Sequence, residues 1–261
     1  FVFGLGYHTT TLEERLRLNA PTALLPVDPV VEASIAAEAV LSVLTEAAQA
    51  VGARRDTATL TTVTATEAAS ACLAAYLPTV LDEPLPTVAG TVKSLPAGWM
   101  LRFGFAGVVN PWLLEPHVDA GLPTAAGLAV ALHELAHTAG FAREAEAEAV
   151  GLLAGMSCGD ERVRYAASLK AASSLSGLLT PLARESYLAR WPAVATADEA
   201  AATEASQRYL SPRAADLAAR AYDTYLGSQG AEGGMDDYGR AATIVAAVIG
   251  RDGTPTVPGP E

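Results

Sequence analysis

The residues with the clearest chemical potential are His133, Glu134 and His137, which form a His-Glu-x-x-His pattern. Histidines four positions apart on a helix project from one face, about one turn apart, so both imidazoles can bind one Zn²⁺ ion at about 2.1 Å. A zinc ion held this way lowers the pKa of water and polarises a carbonyl, while the intervening Glu takes the proton as general base. The pattern predicts His133 and His137 as metal ligands and Glu134 as the catalytic base.

The alternative is an ordinary amphipathic helix with two histidines on its polar side. The chain has only four histidines, so chance placement of two around a Glu at this spacing is improbable. The surrounding residues, among them Leu132 and Leu135, make the helix largely apolar. Burying a His-Glu-His group there without a metal or other partners is costly, which favours metal binding.

A catalytic zinc site needs a third protein ligand and an open fourth position. A third histidine six residues after His137 would indicate a metzincin, but that position is Arg143. The next helix offers Glu144, Glu146 and Glu148, of which the first and last share a face. The pattern favours Glu144 as the ligand and Glu148 as the group that orients a ligating histidine, with Glu146 as the alternative ligand.

These residues require a predominantly helical α+β fold with a zincin-like core. A helix from Thr124 to Gly140 carries the histidines, a helix over about 142–157 carries the glutamates, and the Pro- and Gly-punctuated region 84–123 forms a small sheet. One domain spans 1–250, and the Pro/Gly-rich tail 251–261 is expected to be disordered. Strands are predicted at 88–95, 99–105 and 108–118, an extended segment at 58–64, and further helices at 28–52, 64–76, 160–179, 183–190, 197–210, 213–227 and 236–249.

Composition and charge restrict the function. The net charge of −12 argues against nucleic acid as a partner. No stretch of about eighteen apolar residues is free of charge, so the chain as given has no obvious membrane span. Cys72 and Cys158 either form one disulfide or lie separately as buried small side chains, and neither has the spacing of a cysteine zinc site.

The block from His133 to Ala147, HELAHTAGFAREAEA, resembles the core of an uncharacterised bacterial family of membrane-anchored zinc peptidases. The likeness covers most of the chain, although the family usually has Asn at the position of Glu148. The other matching positions, in chain order, are Val92-Lys93, the Gly-rich run 104–107, Glu115, Val118, Tyr225-Leu226, Gly233 or Gly234, and Tyr238-Gly239-Arg240.

The resemblance implies a gluzincin-like zinc peptidase acting on a peptide or protein at the extracytoplasmic face of the bacterial membrane. Family members usually have transmembrane helices before this domain. The chain is therefore expected to contact the membrane only through an upstream anchor, with Phe1–Tyr7 as the stretch that leaves the bilayer.

Tyr238 and Arg240 are the candidates for stabilising the oxyanion of a peptide-bond transition state. The alternative is a tyrosine in the core and an arginine paired with a carboxylate. Glu115 and His117 could line the cleft or orient a ligand. The run 99–105 could be an edge strand that pairs with an extended substrate, although such a run is more often plain core.

Two functions therefore compete. The first is a zinc metallopeptidase with Glu134 as general base. The second is a non-catalytic extracytoplasmic helical binding domain with a structural or vestigial zinc site, which a fourth protein ligand or the lack of an open cleft would favour. An accidental motif in a plain helical protein would bind no zinc.

Overall fold

The computed structural model describes residues 11–12, 29–54, 62–80, 91–110, 112–228 and 238–249. Over these residues the chain is predominantly helical with a small three-stranded sheet, as predicted. The strands β1 to β3 are Lys93–Leu95, Gly107–Asn110 and Glu115–Asp119. The helices α1 to α9 are Pro29–Arg54, Thr62–Val80, Thr124–Thr138, Glu144–Met156, Glu161–Ser176, Pro181–Leu188, Ala193–Tyr209, Pro212–Ser228 and Tyr238–Val248.

Helix α3, which carries both motif histidines, lies in the middle of the helical layer. It packs against α2, α4 and α5, while α1 packs along α5 and α9 crosses α4 and α1. The second half of α3, from Ala131 to Thr138, is buried throughout. Alanine, leucine and valine dominate this core, and small side chains let helix axes approach closely.

The sheet has the strand order β1-β3-β2 and lies against α3. β1 runs parallel to β3, with Lys93 opposite His117, and β2 runs antiparallel to β3, with Asn110 opposite Glu115. The predicted strand over 108–118 is therefore a hairpin of two strands. A tight turn after β3 leads into α3, so the sheet and the histidine-bearing helix are adjacent in the chain and in space.

The prediction of a strand over 99–105 is wrong. Leu101–Phe103 is a 3₁₀-helix between Gly98 and Gly104, whose φ angles of 78° and 83° interrupt an extended conformation. The Asp119 carboxylate accepts hydrogen bonds from the N–H groups of Gly98, Met100 and Leu101, which holds this segment in a turn. It therefore cannot serve as the substrate-pairing edge strand.

The extended conformation predicted for 58–64 is wrong for 62–64, which form the first turn of α2, and the rest of that segment lies outside the described residues. The apolar face of α2, with Ala65, Ala69 and Leu73 fully buried, determines the helix more strongly than the threonines oppose it. Two other expectations, the disordered tail 251–261 and the membrane-proximal stretch Phe1–Tyr7, also fall outside the described residues.

A disulfide joins Cys72 in α2 to Cys158 in the turn after α4, which resolves the two alternatives for these cysteines. It closes a loop of 86 residues that includes the sheet and α3. None of the described helices combines the length and the hydropathy needed to cross a membrane.

Candidate metal centre

The three motif residues lie on the buried half of α3. His133 is 9% exposed, Glu134 5% and His137 6%. The two imidazole rings are edge-to-face, with centroids 4.6 Å apart, as expected for side chains one helical turn apart. Gly140, with a φ of 100°, ends the helix and turns the chain toward α4.

The approach of α4 to α3 depends on one stripe of residues on α4, namely Glu144, Glu148, Gly151 and Gly155. Their spacings of four, three and four positions place them on one helical face. A Cβ added to Gly151 would lie 3.0 Å from the Leu132 carbonyl, so the two backbones are nearly in contact there. The two glycines let the helices close, and the two glutamates on the same stripe are carried to the histidines.

Hydrogen bonds at Nδ1 orient both imidazoles. Nδ1 of His137 is 2.7 Å from the carbonyl oxygen of Phe141, and Nδ1 of His133 is 3.0 Å from Oε2 of Glu148. Because a carbonyl or a carboxylate can only accept, each Nδ1–H donates, and in the neutral imidazole Nε2 keeps a free lone pair. Glu148 thus contacts His133 in the manner predicted for the orienting residue.

Both Nε2 atoms converge with one oxygen of Glu144. The two Nε2 atoms are 3.0 Å apart. Oε2 of Glu144 lies 3.0 Å from Nε2 of His133 and 3.5 Å from Nε2 of His137. A single proton can bridge only two of these three acceptors. Four tetrahedral ligands at about 2.0–2.1 Å from a metal lie about 3.3 Å from one another, so the separations suit a metal ion.

The electrostatics favour a positive charge at the same point. Burial alone would lower the pKa of His133, but the carboxylates of Glu144 and Glu148 outweigh it and raise that pKa well above its usual value. Burial would raise the pKa of Glu144, and its contacts with the imidazoles of His133 and His137 instead hold it far below its usual value. A metal cation at this point would supply the positive charge that stabilises these carboxylates.

Glu134 lies beside this group and against the sheet. A Cβ added to Gly107 at the start of β2 would lie 2.7 Å from Oε1 of Glu134 and 2.8 Å from the carbonyl oxygen of His117, and because that backbone oxygen cannot yield, only a glycine fits there. Within the described part of the chain the Glu134 carboxylate makes no hydrogen bond, and burial raises its pKa. A buried carboxylate in this condition is suited to accept a proton from a small polar molecule.

The structure places the alternative ligand Glu146 elsewhere. Its Oε1 accepts hydrogen bonds from the backbone N–H of Leu12, at 3.2 Å, and from the guanidinium of Arg143, at 2.8 Å. As expected from its position about 200° around α4 from Glu144, it faces the buried Leu12. Among the residues that the structure describes, the group that could hold a metal is His133, His137 and Glu144.

Glu115 and His117 are not brought to this group by their strand. Glu115 pairs with Lys93 of β1 at 2.6 Å, and His117 Nδ1 contacts the carbonyl oxygen of Glu115 at 2.9 Å. The side chain of Val118, the residue after His117, is the one that approaches α3, near Gly127, and alternate strand residues face opposite sides of a sheet. The two residues therefore lie on the face turned away from α3.

The candidates for oxyanion stabilisation lie at the start of α9, which packs against α4. The side chain of Tyr238 lies outside the described residues. Arg240 is exposed on the first turn of the helix. Their role stays a prediction.

Sequence reasoning missed three positions that shape the site. Gly107 makes room beside Glu134, Gly151 sets the closeness of α4, and Asp119 anchors the turn before α3 through four backbone N–H groups. The role of Gly151 could have been predicted from the sequence, because it follows Glu144 and Glu148 at a spacing that places all three on one helical face. Nothing local marks Asp119 or Gly107, since their partners come from distant segments.

Comparison with curated proteins finds no match, and comparison with solved structures finds none either. A family model matches residues 1–245, nearly the whole length of the chain. The chain therefore belongs to the family described as a protein of unknown function (DUF3810).

Proposed function

We propose that the chain is a zinc-dependent metallopeptidase of the gluzincin type, with a zincin-like core. The observation that carries this proposal is the convergence of Nε2 of His133, Nε2 of His137 and Oε2 of Glu144 within 3.0–3.5 Å of one another. Two imidazoles and one carboxylate are the protein ligands of a class of catalytic zinc sites. Bound by these residues, zinc would polarise the scissile carbonyl and lower the pKa of water.

The three ligands leave room for a catalytic role because no fourth protein ligand from the described residues joins them. Among the described residues, the group with converging metal-ligand atoms contains only His133, His137 and Glu144. Structural zinc sites usually have four protein ligands, and catalytic sites keep one position open. The proposal therefore favours catalysis over a purely structural metal.

Glu134 is proposed as the general base. Its carboxylate follows the first ligating histidine, lies against Gly107 and has no hydrogen-bond partner among the described residues. It would accept a proton from the attacking water as the water oxygen bonds to the carbonyl carbon. It would then deliver that proton to the leaving amine nitrogen as the C–N bond breaks.

The remaining residues position these groups. The Phe141 carbonyl and the Glu148 carboxylate hold the Nδ1–H groups of His137 and His133, which aims both Nε2 lone pairs at one point. Lys170 of α5 lies 3.5 Å from the other oxygen of Glu148 and balances its charge. Arg240, with Tyr238, stays the candidate for stabilising the oxyanion.

Replacing Glu134 by Gln tests the proposal. The general base contributes about 10²- to 10⁴-fold to such reactions, so E134Q should lose at least about a hundredfold in cleavage of a complex peptide mixture followed by mass spectrometry. Its zinc content should equal that of the wild-type chain. The matched control is Glu115→Gln, on the sheet face turned away from α3, which should cleave normally.

The outcomes separate the two candidate functions. Full activity of E134Q would show that the mechanism is wrong. A wild-type chain that binds zinc and cleaves no peptide in the mixture would favour the non-catalytic binding domain instead.

A further inference from the structure

The tip of the β2–β3 hairpin exposes an unusual amount of apolar surface. Trp112 is 87% exposed and Leu113 is 65% exposed. Val108 on β2 adds a third exposed apolar side chain, at 39%. Large exposed apolar side chains at one hairpin tip are typical of an interaction surface.

The backbone N–H groups of Trp112, Leu113 and Leu114 are satisfied within the tip. Those of Trp112 and Leu113 donate to the side-chain oxygen Oδ1 of Asn110, at 3.0 and 3.2 Å, and that of Leu114 donates to the Asn110 carbonyl, at 2.8 Å. Pro111 has no N–H to satisfy. These three donors keep their hydrogen bonds when they leave water, which lowers the cost of moving this stretch of backbone toward lipid.

The tip is also free of charge in an acidic chain. No Asp, Glu, Lys, Arg or His occurs from 103 to 114, although the whole chain has a net charge of −12. Because the tip has no charged group to desolvate, it can leave the aqueous phase at little electrostatic cost. The same lack of charge leaves little to specify a particular protein partner, since specificity at protein interfaces relies on charge and hydrogen-bond matching.

Turn geometry alone does not explain the apolar residues. Leu114 has a φ of 51°, in the left-handed region where glycine or asparagine would be less strained. A leucine is thus kept at a position that the backbone disfavours. Trp112, two positions earlier, has the amphipathic ring that concentrates at membrane–water interfaces.

We propose that the hairpin tip formed by Asn110, Trp112, Leu113 and Leu114 inserts into the interfacial layer of a phospholipid bilayer. Gly107, at the other end of β2, lies beside Glu134, and three residues of strand span only about 10 Å. Docking by the tip would hold the metal centre close to the lipid surface. The inference concerns a separate surface and does not rest on the proposed hydrolytic activity.

Binding to vesicles tests it, with pure phosphatidylcholine as the probe because the acidic chain would be repelled by anionic lipid. The tip variant carries Trp112→Ser and Leu113→Ser, which remove apolar surface and leave the backbone bonds to Asn110 in place. The matched control carries Leu182→Ser and Leu217→Ser, which remove leucines that are 79% and 71% exposed on α6 and α8.

Co-sedimentation should show that the wild-type chain and the control partition onto vesicles, and that the tip variant does so at least about tenfold less. A second readout uses the Trp99→Phe background, in which Trp112 is the exposed indole and Trp191 is buried. Its fluorescence should be quenched by phosphatidylcholine with brominated acyl chains.

Three results would overturn the proposal. The first is no vesicle binding by the wild-type chain, and the second is an equal loss in the control variant. The third is a wild-type dimer that the tip substitutions convert to a monomer, without vesicle binding, which would assign the tip to contact with a second copy of the chain.

Discussion

The carboxylates of Asp119 in β3 and Glu144 in α4 meet opposite conditions. Asp119 is 1% exposed, and its two oxygens accept N–H groups from Gly98, Met100, Leu101 and Gly121. Oε2 of Glu144 instead faces two imidazole nitrogens whose protons are held on their far sides.

Asp119 is fully hydrogen-bonded within the protein, whereas the polar atoms around Glu144 still need a bound cation. Four donors satisfy Asp119 without any ligand, and they tie the turn at 98–101 to the start of the connection from β3 to α3. At Glu144 three acceptors share one point, which is unfavourable unless a cation occupies it. The comparison therefore predicts that Asp119 is required for stability and Glu144 for metal binding. Substituting either residue should have little effect on the other property.

The largest expected effect is the loss of metal on removing Glu144. Glu144→Ala should weaken zinc binding by more than about a hundredfold, because partners that merely orient a ligand already contribute about 10- to 100-fold. The measurement is competition of zinc against a chromophoric chelator. Glu146→Ala is the matched control on the same helix, and an equal loss of affinity in that variant would mean that Glu144 is not the distinguishing ligand.

The reverse pattern is expected at Asp119. Asp119→Ala leaves four backbone donors without their acceptor and should lower the free energy of unfolding by about 2 kcal/mol or more, measured by urea titration. The folded fraction should still bind zinc with normal affinity. A variant with normal stability and weakened zinc binding would reverse the two roles.

The pH dependence of the unfolding free energy of the Asp119→Asn variant gives an independent check of this role. Burial opposes ionisation of Asp119, but the N–H groups of Gly121, Gly98, Leu101 and Met100 together hold its pKa below the usual value. The stabilising effect is therefore full above the unfolded pKa of about 3.9 and disappears as the pH falls through the folded pKa. The stability difference between the wild-type chain and Asp119→Asn should narrow below about pH 4 and stay constant above about pH 6.

The sequence predicted the local part of this arrangement well. The spacing of His133 and His137, the glycine turn at Gly140 and the glutamates of the next helix can all be recognised within the sixteen residues 133–148, because a helix converts spacing into direction. The preference for Glu144 over Glu146 agrees with where the structure brings the two side chains. The helical α+β class followed from the composition and from the positions of Pro and Gly. The resemblance correctly indicated a family without a known function.

The errors came from contacts between distant segments. The 99–105 run has the residue types of a strand, but Asp119, about twenty positions later, holds it as a turn. The threonines at 62–64 favour an extended chain, and the buried face of α2 overrides them. The disulfide between Cys72 and Cys158 depended on packing of α2 against α4, which no local pattern reveals.

Gly151→Ala tests whether close helix packing delivers Glu144 and Glu148. The added Cβ would lie 3.0 Å from the Leu132 carbonyl and 3.2 Å from the backbone nitrogen of His133, where neither backbone can yield cheaply. We expect a loss of about 1 to 2 kcal/mol in unfolding free energy together with weaker zinc binding. Gly52→Ala in α1 is the control, since nothing lies within 4 Å of its added Cβ. Zinc binding unchanged in Gly151→Ala would show that the glutamates do not depend on this contact.

The smallest effect is expected at Lys170. Its Nζ lies 3.5 Å from Glu148 Oε1, and this charge is the main factor that opposes burial and lowers the pKa of Glu148 to about 2. Lys170→Met should weaken zinc binding by less than about tenfold, because the lysine acts only through Glu148 on His133. Lys170→Arg should restore the affinity, and a Met variant as poor as Glu144→Ala would assign the lysine a larger part than the geometry supports.

X-ray absorption spectroscopy on the zinc-loaded wild-type chain tests the central claim most directly. The account predicts one zinc per chain with two imidazole nitrogens and light oxygen ligands at about 2.0–2.1 Å, and loss of the imidazole signal in a His133→Ala, His137→Ala double variant. No stoichiometric zinc, or a coordination shell that survives the double substitution, would contradict it.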